Sequence, residues 1–288
     1  MTIEISILAL QAYRNNTYRL KPGTHLASVD DALSFVNERG FIYFWPIKGV
    51  DLPSLWVAAA GNRPVADGHD DPGHITWSWK DSMLGKRRWY YAHLLRRRST
   101  IVSLDIIPNF YALSPNYGDP ETDYLDQYQQ GLMTLECKNI YEALLREGPL
   151  NTLDLRKAAR LSSSEGSSRF NKALDDLQIE LKVVPMGVAE VGAWHYSFIY
   201  DLTSRHFPML VEQAGKITEN KARQNLILSY LRSVGMCQEN HITRLFGWKK
   251  PEYQKALDEL ISSKQILPDV KLELKKGDWF SMPEIAPE

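Results

Sequence analysis

Apolar positions three and four residues apart alternate with short aromatic or β-branched runs along this chain, and the two patterns divide it into elements. Ala32, Leu33, Phe35 and Val36 share one face and predict a helix over 24–39, with Ser28 as its cap, Asp31 near capping-box spacing and Gly40 at its end. The run Phe41–Trp45 is too aromatic for an exposed helix and reads as a strand closed by Pro46. Leu52–Ala60 restarts a helix, with Pro53 near its first turn, and 61–73 is a loop rich in Gly, Pro, Asp and His. A long helical stretch is expected from about Ser78 to Arg98, then a connection through Pro108 and a turn at Ser114–Pro120.

In the second half one pattern occurs twice. Cys137–Leu145 is followed by Gly148–Arg156, the Ser-rich turn 162–168, and the helix Arg169–Leu177. The later copy runs from Lys221 through Ile242–Phe246 to the helix Glu252–Leu260. Both third helices end in Lys-Ala-Leu-Asp-(Asp/Glu)-Leu, and each precedes a β-prone run, Leu181–Pro185 or Ile266–Val270. Three helices and a hairpin is the winged-helix plan, which usually serves nucleic acid. The expected fold is therefore mainly α with small β-hairpins, an α+β chain of tandem winged-helix domains. The expected units are a divergent winged-helix-like unit over 1–120 and winged-helix domains over 121–210 and 211–288.

Composition narrows the function. The 288 residues carry a net charge of −1, so any nucleic-acid surface is a local patch and not the whole molecule. Cys137 and Cys237 have no CxxC companion, which argues against structural zinc and fits a reducing cytoplasm. Met1–Ile5 lacks the basic and apolar regions of a signal peptide, and no apolar run reaches the roughly 20 residues of a membrane span. A cytoplasmic location is expected, at the nucleoid if the source is bacterial.

The densest basic segment is Lys86–Arg98, with Lys86, Arg87, Arg88, Arg96, Arg97 and Arg98 among aromatics. On a helix, Arg87, Tyr91, Leu94, Leu95 and Arg98 share a face; they form either phosphate contacts or a solvated face with inward aromatics. Lys48 is a further candidate cation. On the third helices the candidates are Arg169, Asn171 and Lys172, and Lys249, Lys250, Gln254 and Lys255. The carboxylates Asp175, Asp176, Asp258 and Glu259 on the same helices suit a scaffolding role equally. His69–His74 contains metal-ligand types, but its Pro72-Gly73 turn fits a loop held by Asx hydrogen bonds better. Tyr43, Trp45, Trp56, Trp77, Trp79 and Trp89 are either a stacking surface for an extruded base or an aromatic core, the core reading applying to Trp56 and Trp89. No P-loop, nucleophile elbow or dinucleotide fingerprint is present.

At Tyr200-Asp201-Leu202-Thr203-Ser204-Arg205-His206-Phe207-Pro208 the chain resembles the bacterial interstrand-crosslink DNA glycosylases of the AlkZ/YcaQ type, which carry Tyr-Asp-Leu-Thr-x-Arg-x-x-Pro after a wing. Gly148-Pro149 and Trp77-Ser78-Trp79-Lys80-Asp81, similar to the family's Tyr-Trp-Ala-His, extend the likeness over about 28–265. The resemblance implies tandem winged helices cradling double-stranded DNA, excision of alkylated or crosslinked bases, and no metal or organic cofactor. The family's Gln-x-Gln or Gln-x-Asp pair falls on Tyr43 and Trp45, and its histidine falls near Asp81. Neither Tyr43 nor Trp45 orients a hydrolytic water as an amide or carboxylate does. No counterpart of the family's C-terminal β-barrel is expected. By the resemblance, Asp81 is the carboxylate of any retained hydrolysis, Lys80 stands beside it, and Tyr43, Trp45 and Trp79 line the base pocket. A non-catalytic DNA-binding regulator or damage sensor is the alternative, and a protein-binding scaffold is a third.

Overall fold

The chain opens on β1 (Glu4–Ile5) and α1 (Ile7–Thr17), then runs through α2 (Val29–Arg39), β2 (Phe41–Tyr43), α3 (Leu55–Ala60) and α4 (Ile75–Leu84). The hairpin β3 (Tyr90–His93) and β4 (Ser99–Val102) follows, then α5 (Ile107–Ala112) and α6 (Asp123–Gln129). Next come α7 (Leu135–Glu147), β5 (Leu150–Asn151), α8 (Thr152–Ala158), α9 (Gly166–Ile179), β6 (Val183–Ala189), β7 (Ser197–Leu202) and α10 (Thr203–His206). The last stretch holds α11 (Leu210–Gly215), α12 (Glu219–Val234), β8 (Met236–Cys237), α13 (Glu239–Phe246), α14 (Lys250–Ser262), β9 (Leu267–Leu272) and β10 (Trp279–Ser281). This computed structural model describes residues 3–286 apart from 69, 117, 164, 165 and 193. Met1, Thr2, His69, Tyr117, Ser164 and Glu165, read as parts of motifs above, lie outside the described residues.

One order of elements occurs three times: helix, short strand, helix, third helix, hairpin, with the short strand paired to the hairpin's second strand. It is α2-β2-α3-α4-β3-β4 with sheet order β2-β4-β3, then α7-β5-α8-α9-β6-β7 with order β5-β7-β6. The third is α12-β8-α13-α14-β9-β10, where β8 pairs β10 and the chain's opening strand β1 adds in parallel to β9. This is the winged-helix order in a mainly α, α+β fold. The first strand and helix thus complete the last unit in space, with α1 packed on α12.

The expected helix from Ser78 to Arg98 is corrected: α4 ends at Leu84, and Tyr90–Val102 is the first unit's wing. The reason is burial on both faces. Trp89 and Tyr91 point into one hydrophobic cluster, while Tyr90, Ala92 and Leu94 point into another. With no solvent face, the strand shows no polar alternation, and its aromatic run imitates an amphipathic helix. The shared helical face of Arg87, Tyr91, Leu94, Leu95 and Arg98 therefore does not exist. The helix expected from Leu52 begins instead at Leu55, because Ser54 caps it; the Pro53 carbonyl accepts from the Tyr43 N–H at 2.9 Å. At Ser28 the capping box forms, Ser28 Oγ accepting from the Asp31 N–H and the Asp31 carboxylate accepting from the Ser28 N–H.

Gly73 sets the entry of α4. A Cβ there would stand 2.7 Å from Cη2 of the buried Trp56 and 2.8 Å from Ala60 Cβ. Gly73→Ala is expected to destabilise the chain by about 1–3 kcal/mol, as overpacking against a fixed ring does. Urea unfolding checks this; an unchanged midpoint would show that α4 can shift without cost.

Candidate active site

Helix α4 follows a short turn in which the Asp71 carboxylate accepts the Gly73 N–H at 2.7 Å and is held by Arg63. This is the Asx-type loop expected of the 69–74 segment. Along α4, Trp77, Lys80 and Asp81 are three and four residues apart and neighbour one another on the helix surface. The wing β6–β7 of the second unit lies against α4 and β3 and brings Tyr196 and Phe198 to that surface.

Lys80 is the centre of the site. Its side chain is 2% exposed. Nζ lies 4.5 Å from the ring centroid of Phe198, 4.6 Å from Trp77, 5.3 Å from Tyr91, 5.5 Å from Tyr196 and 5.7 Å from Phe44. Such ring faces attract a cation, more strongly when water is excluded. Nζ donates to the Tyr196 hydroxyl at 2.8 Å and pairs with Asp81 Oδ1 at 2.8 Å. The Tyr196 hydroxyl donates to the same Oδ1 at 3.0 Å. Burial pushes the Lys80 ammonium below its ordinary range, opposed by the bond to Asp81. Among the described residues both bonds to Asp81 fall on Oδ1, and its side chain is 25% exposed. The second oxygen carries no bond among the described residues. A fixed carboxylate beside exposed aromatic rings can accept a proton from water or face a developing positive charge.

Around Asp81 runs an aromatic rim. Trp77 is 39% exposed and its ring lies 5.9 Å from Tyr196 and 6.1 Å from the half-buried Trp45. Trp45 in turn packs on Phe44 at 4.6 Å and Trp56 at 5.2 Å. The cavities of about 230, 400 and 340 Å³ are lined by other residues.

The structure brings Asp81, Lys80 and Trp45 together as the sequence suggests, and separates the rest. Tyr43 is fully buried in the cluster on the opposite face of β2, because successive strand residues alternate and Phe44 takes the Lys80 side. It therefore lines no pocket at this site. Trp79 is buried in the core behind α4. Lys86, Arg87 and Arg88 are exposed in the turn after α4, and among the described residues none has a carboxylate partner. Arg98 is exposed beyond the wing tip at the other end of β3, and Lys48 is exposed in the loop after β2. Arg169, Lys172 and Lys250 each pair with a carboxylate: Glu136 at 3.3 Å, Asp176 at 2.8 Å and Glu239 at 2.9 Å. The C-terminal half of α9 is covered by the first wing, through His93–Asp175 at 2.7 Å and Arg97–Asp176 at 2.6 Å.

Sequence reading missed Tyr196, Phe198, Phe44 and Tyr91. Their signal was adjacency: Tyr196 and Phe198 precede the Tyr200–Pro208 stretch by a few residues. That stretch is itself a clasp. Asp201 Oδ1 accepts from Arg205 at 2.7 Å, and Arg205 donates to the Leu144 and Leu145 carbonyls at 3.0 and 3.2 Å, tying the wing to the end of α7.

Burial, and then the Asp81 charge, hold the Tyr196 phenol above the ordinary tyrosine value of 10.0. The folded chain keeps this proton where the unfolded chain has released it, so its contribution is complete below pH 10 and is lost as pH rises. The stability difference between wild type and Tyr196→Phe should be level from about pH 7 to 9 and shrink above about pH 10. Unfolding titrations across that range check it; a difference that stays constant would remove the phenol from the triad.

No curated protein sequence matches this chain. The architecture is similar to that of the Streptomyces sahachiroi DNA glycosylase AlkZ, at a TM-score of 0.59 and 14% sequence identity over 98% of this chain and 71% of that one. This likeness shows a shared fold. Residues 26–247 match the sequence profile of the family described as AlkZ related. That span holds α4, the second wing and the clasp after it, and the chain belongs to the AlkZ-related family.

Proposed function

We propose that the chain binds duplex DNA and hydrolyses the N-glycosidic bond of an alkylated or crosslinked base, with Asp81 as the catalytic carboxylate. The carrying observation is the fixed, partly exposed Asp81, gripped at one oxygen by Lys80 and Tyr196, one helical turn from an exposed Trp77. Family membership supports this reading, as does a relative of like fold that is a DNA glycosylase.

In this chemistry the bond from the sugar C1′ to the base nitrogen breaks, leaving positive charge on the sugar. Water attacks C1′ and gives its proton to Asp81, and the base departs with the bonding electrons. A carboxylate aimed at the sugar face serves both needs. Lys80 and Tyr196 are positioning residues, since both act through the Asp81 oxygen to which they are bonded. The extruded base stacks on Trp77, with Trp45 behind it. Lys86, Arg87 and Arg88, next along the chain from α4, supply phosphate contacts.

A second reading, a DNA-binding relative without excision, is favoured by Tyr43 and Trp45 at the positions of the family's glutamine pair. Incubation with a duplex carrying N7-methylguanine, then alkaline cleavage, separates the two. Breaks above the enzyme-free control are expected, and Asp81→Asn should lower their rate by at least about 100-fold, as loss of a general base does. Salt-sensitive binding without breaks would leave the second reading in place.

Phosphate binding by the basic turn has its own signature. Replacing Lys86, Arg87 and Arg88 by Ala should flatten the dependence of log affinity on log salt by about 0.9 for each phosphate no longer neutralised. An unaltered slope would place the phosphates elsewhere.

A further inference from the structure

Beyond the paired strands of the second wing, Trp194 is 90% exposed, the most exposed of the large apolar side chains among the described residues. Tryptophan has the largest apolar side chain and on average sits deeply buried, so full display to water is costly without a use. The display is also firmly supported. β6 and β7 are paired up to Ala189↔Ser197, Val188 and Phe198 pack on the core behind α4, and Tyr196 is bonded to Asp81. Gly192 and His195, on either side of it, both take positive φ, 82° and 50°, which fits a turn that leaves Trp194 in water. Leu153, itself half exposed, lies under Gly192 and continues the apolar surface.

Trp194 is two residues from Tyr196, a backbone span of at most about 7 Å. The exposed indole and the tyrosine that grips the carboxylate therefore stand on the same wing, two residues apart.

We propose that Trp194 is an intercalating wedge: it enters the base stack of duplex DNA at the step vacated by the nucleotide presented to Asp81. This rests on the function proposed above. Extruding a paired base breaks stacking on both its neighbours, and a flat ring placed in the gap restores part of it. An indole is close to a purine in size and stacks on any base, so the wedge carries no sequence preference.

The test uses the full chain in an Asp81→Asn background, which stops excision, and a duplex with 2-aminopurine beside an N7-methylguanine. Binding by Asp81→Asn should raise 2-aminopurine fluorescence as the stack opens. Adding Trp194→Ala should abolish that rise and weaken binding to the paired duplex by about 5- to 150-fold, the 1–3 kcal/mol of one base–aromatic stack. The same change should weaken binding far less when the modified nucleotide faces an abasic gap, where little stacking has to be broken. Trp194→Phe should restore most of the signal. Unchanged fluorescence with Trp194→Ala would overturn the wedge, and so would an equal loss on paired and gapped duplexes, which marks a general contact. A fluorescence rise that needs Trp194, from a protein that excises nothing, would keep the wedge and reject the hydrolase. Absence of duplex binding at low salt would reject both. The variant changes a side chain in water, so its fold is retained.

Discussion

An ammonium group held out of water at Lys80 fixes the arrangement of the rest. Burying a charge costs several kcal/mol unless a counter-charge and hydrogen-bond acceptors are held in place around it. Here the required groups come from separate parts of the chain. Phe44 follows β2, Tyr91 lies on β3, Trp77 and Asp81 on α4, and Tyr196 and Phe198 on the second wing. Lys80 is satisfied only when the second wing is docked on the first unit. The same docking fixes Asp81, so folding and the preparation of the carboxylate are one event.

The docking is reciprocal. The second wing lies on the third helix of the first unit, and the first wing lies on the third helix of the second, through His93–Asp175 and Arg97–Asp176. A second buried ammonium, Lys182, stands at the start of β6 with Asn116 at 2.8 Å and Glu180 at 3.1 Å. Among the described residues no ring lies over its ammonium as around Lys80, and its partners lie in the connection between the first two units and at the end of α9. The contrast separates two uses of a buried lysine: Lys182 ties chain segments together, and Lys80 aims a carboxylate that still meets solvent. In a winged helix that reads a major groove, the third helix must present one face free. On α4 and α9 that freedom is reduced by the partner's wing, which suits a surface built around one nucleotide better than one that reads a run of base pairs.

Much of this was legible in the residues. The repeated Lys-Ala-Leu-Asp cadence marks α9 and α14, because those helices bury one face and keep the other in water, so their periodicity survives in sequence. Asp81 and Lys80 were singled out in sequence only through the likeness of Trp77–Asp81 to the family's segment, and their bonds to Tyr196 come from the structure. The first wing was not legible, since Trp89–Leu94 is buried on both sides and its alternation is between two cores. Misreading that strand as helix blurred the first copy of the fold, which reads in sequence only as a divergent winged-helix-like unit. Tyr43 was misassigned for a related reason: a strand between two cores gives no sign of which face meets the site, and only Phe44 against Lys80 settles the register. Tyr196 stood a few residues before the Tyr200–Pro208 stretch, but its pairing with Asp81 was not legible because the two are 115 residues apart.

The charge distribution follows from the same geometry. A net charge of −1 speaks against a polyanion held by the whole surface. Within that near-neutral total, the cations of the third helices are matched locally: Arg169, Lys172 and Lys250 each face a carboxylate. Arg97 shares Asp176 with Lys172 across the unit junction. Lys86, Arg87 and Arg88 have no such match among the described residues, and they follow directly on the helix that carries Asp81. Paired cations contribute little field beyond their own contact, whereas a run of three unpaired ones attracts phosphate within roughly a Debye length. These three share their unmatched state with Arg96 and Arg98 at the tip of the first wing, and they differ from those in following directly on α4. For the proposed hydrolase, that placement would bring the backbone of a bound strand toward the helix that carries Asp81.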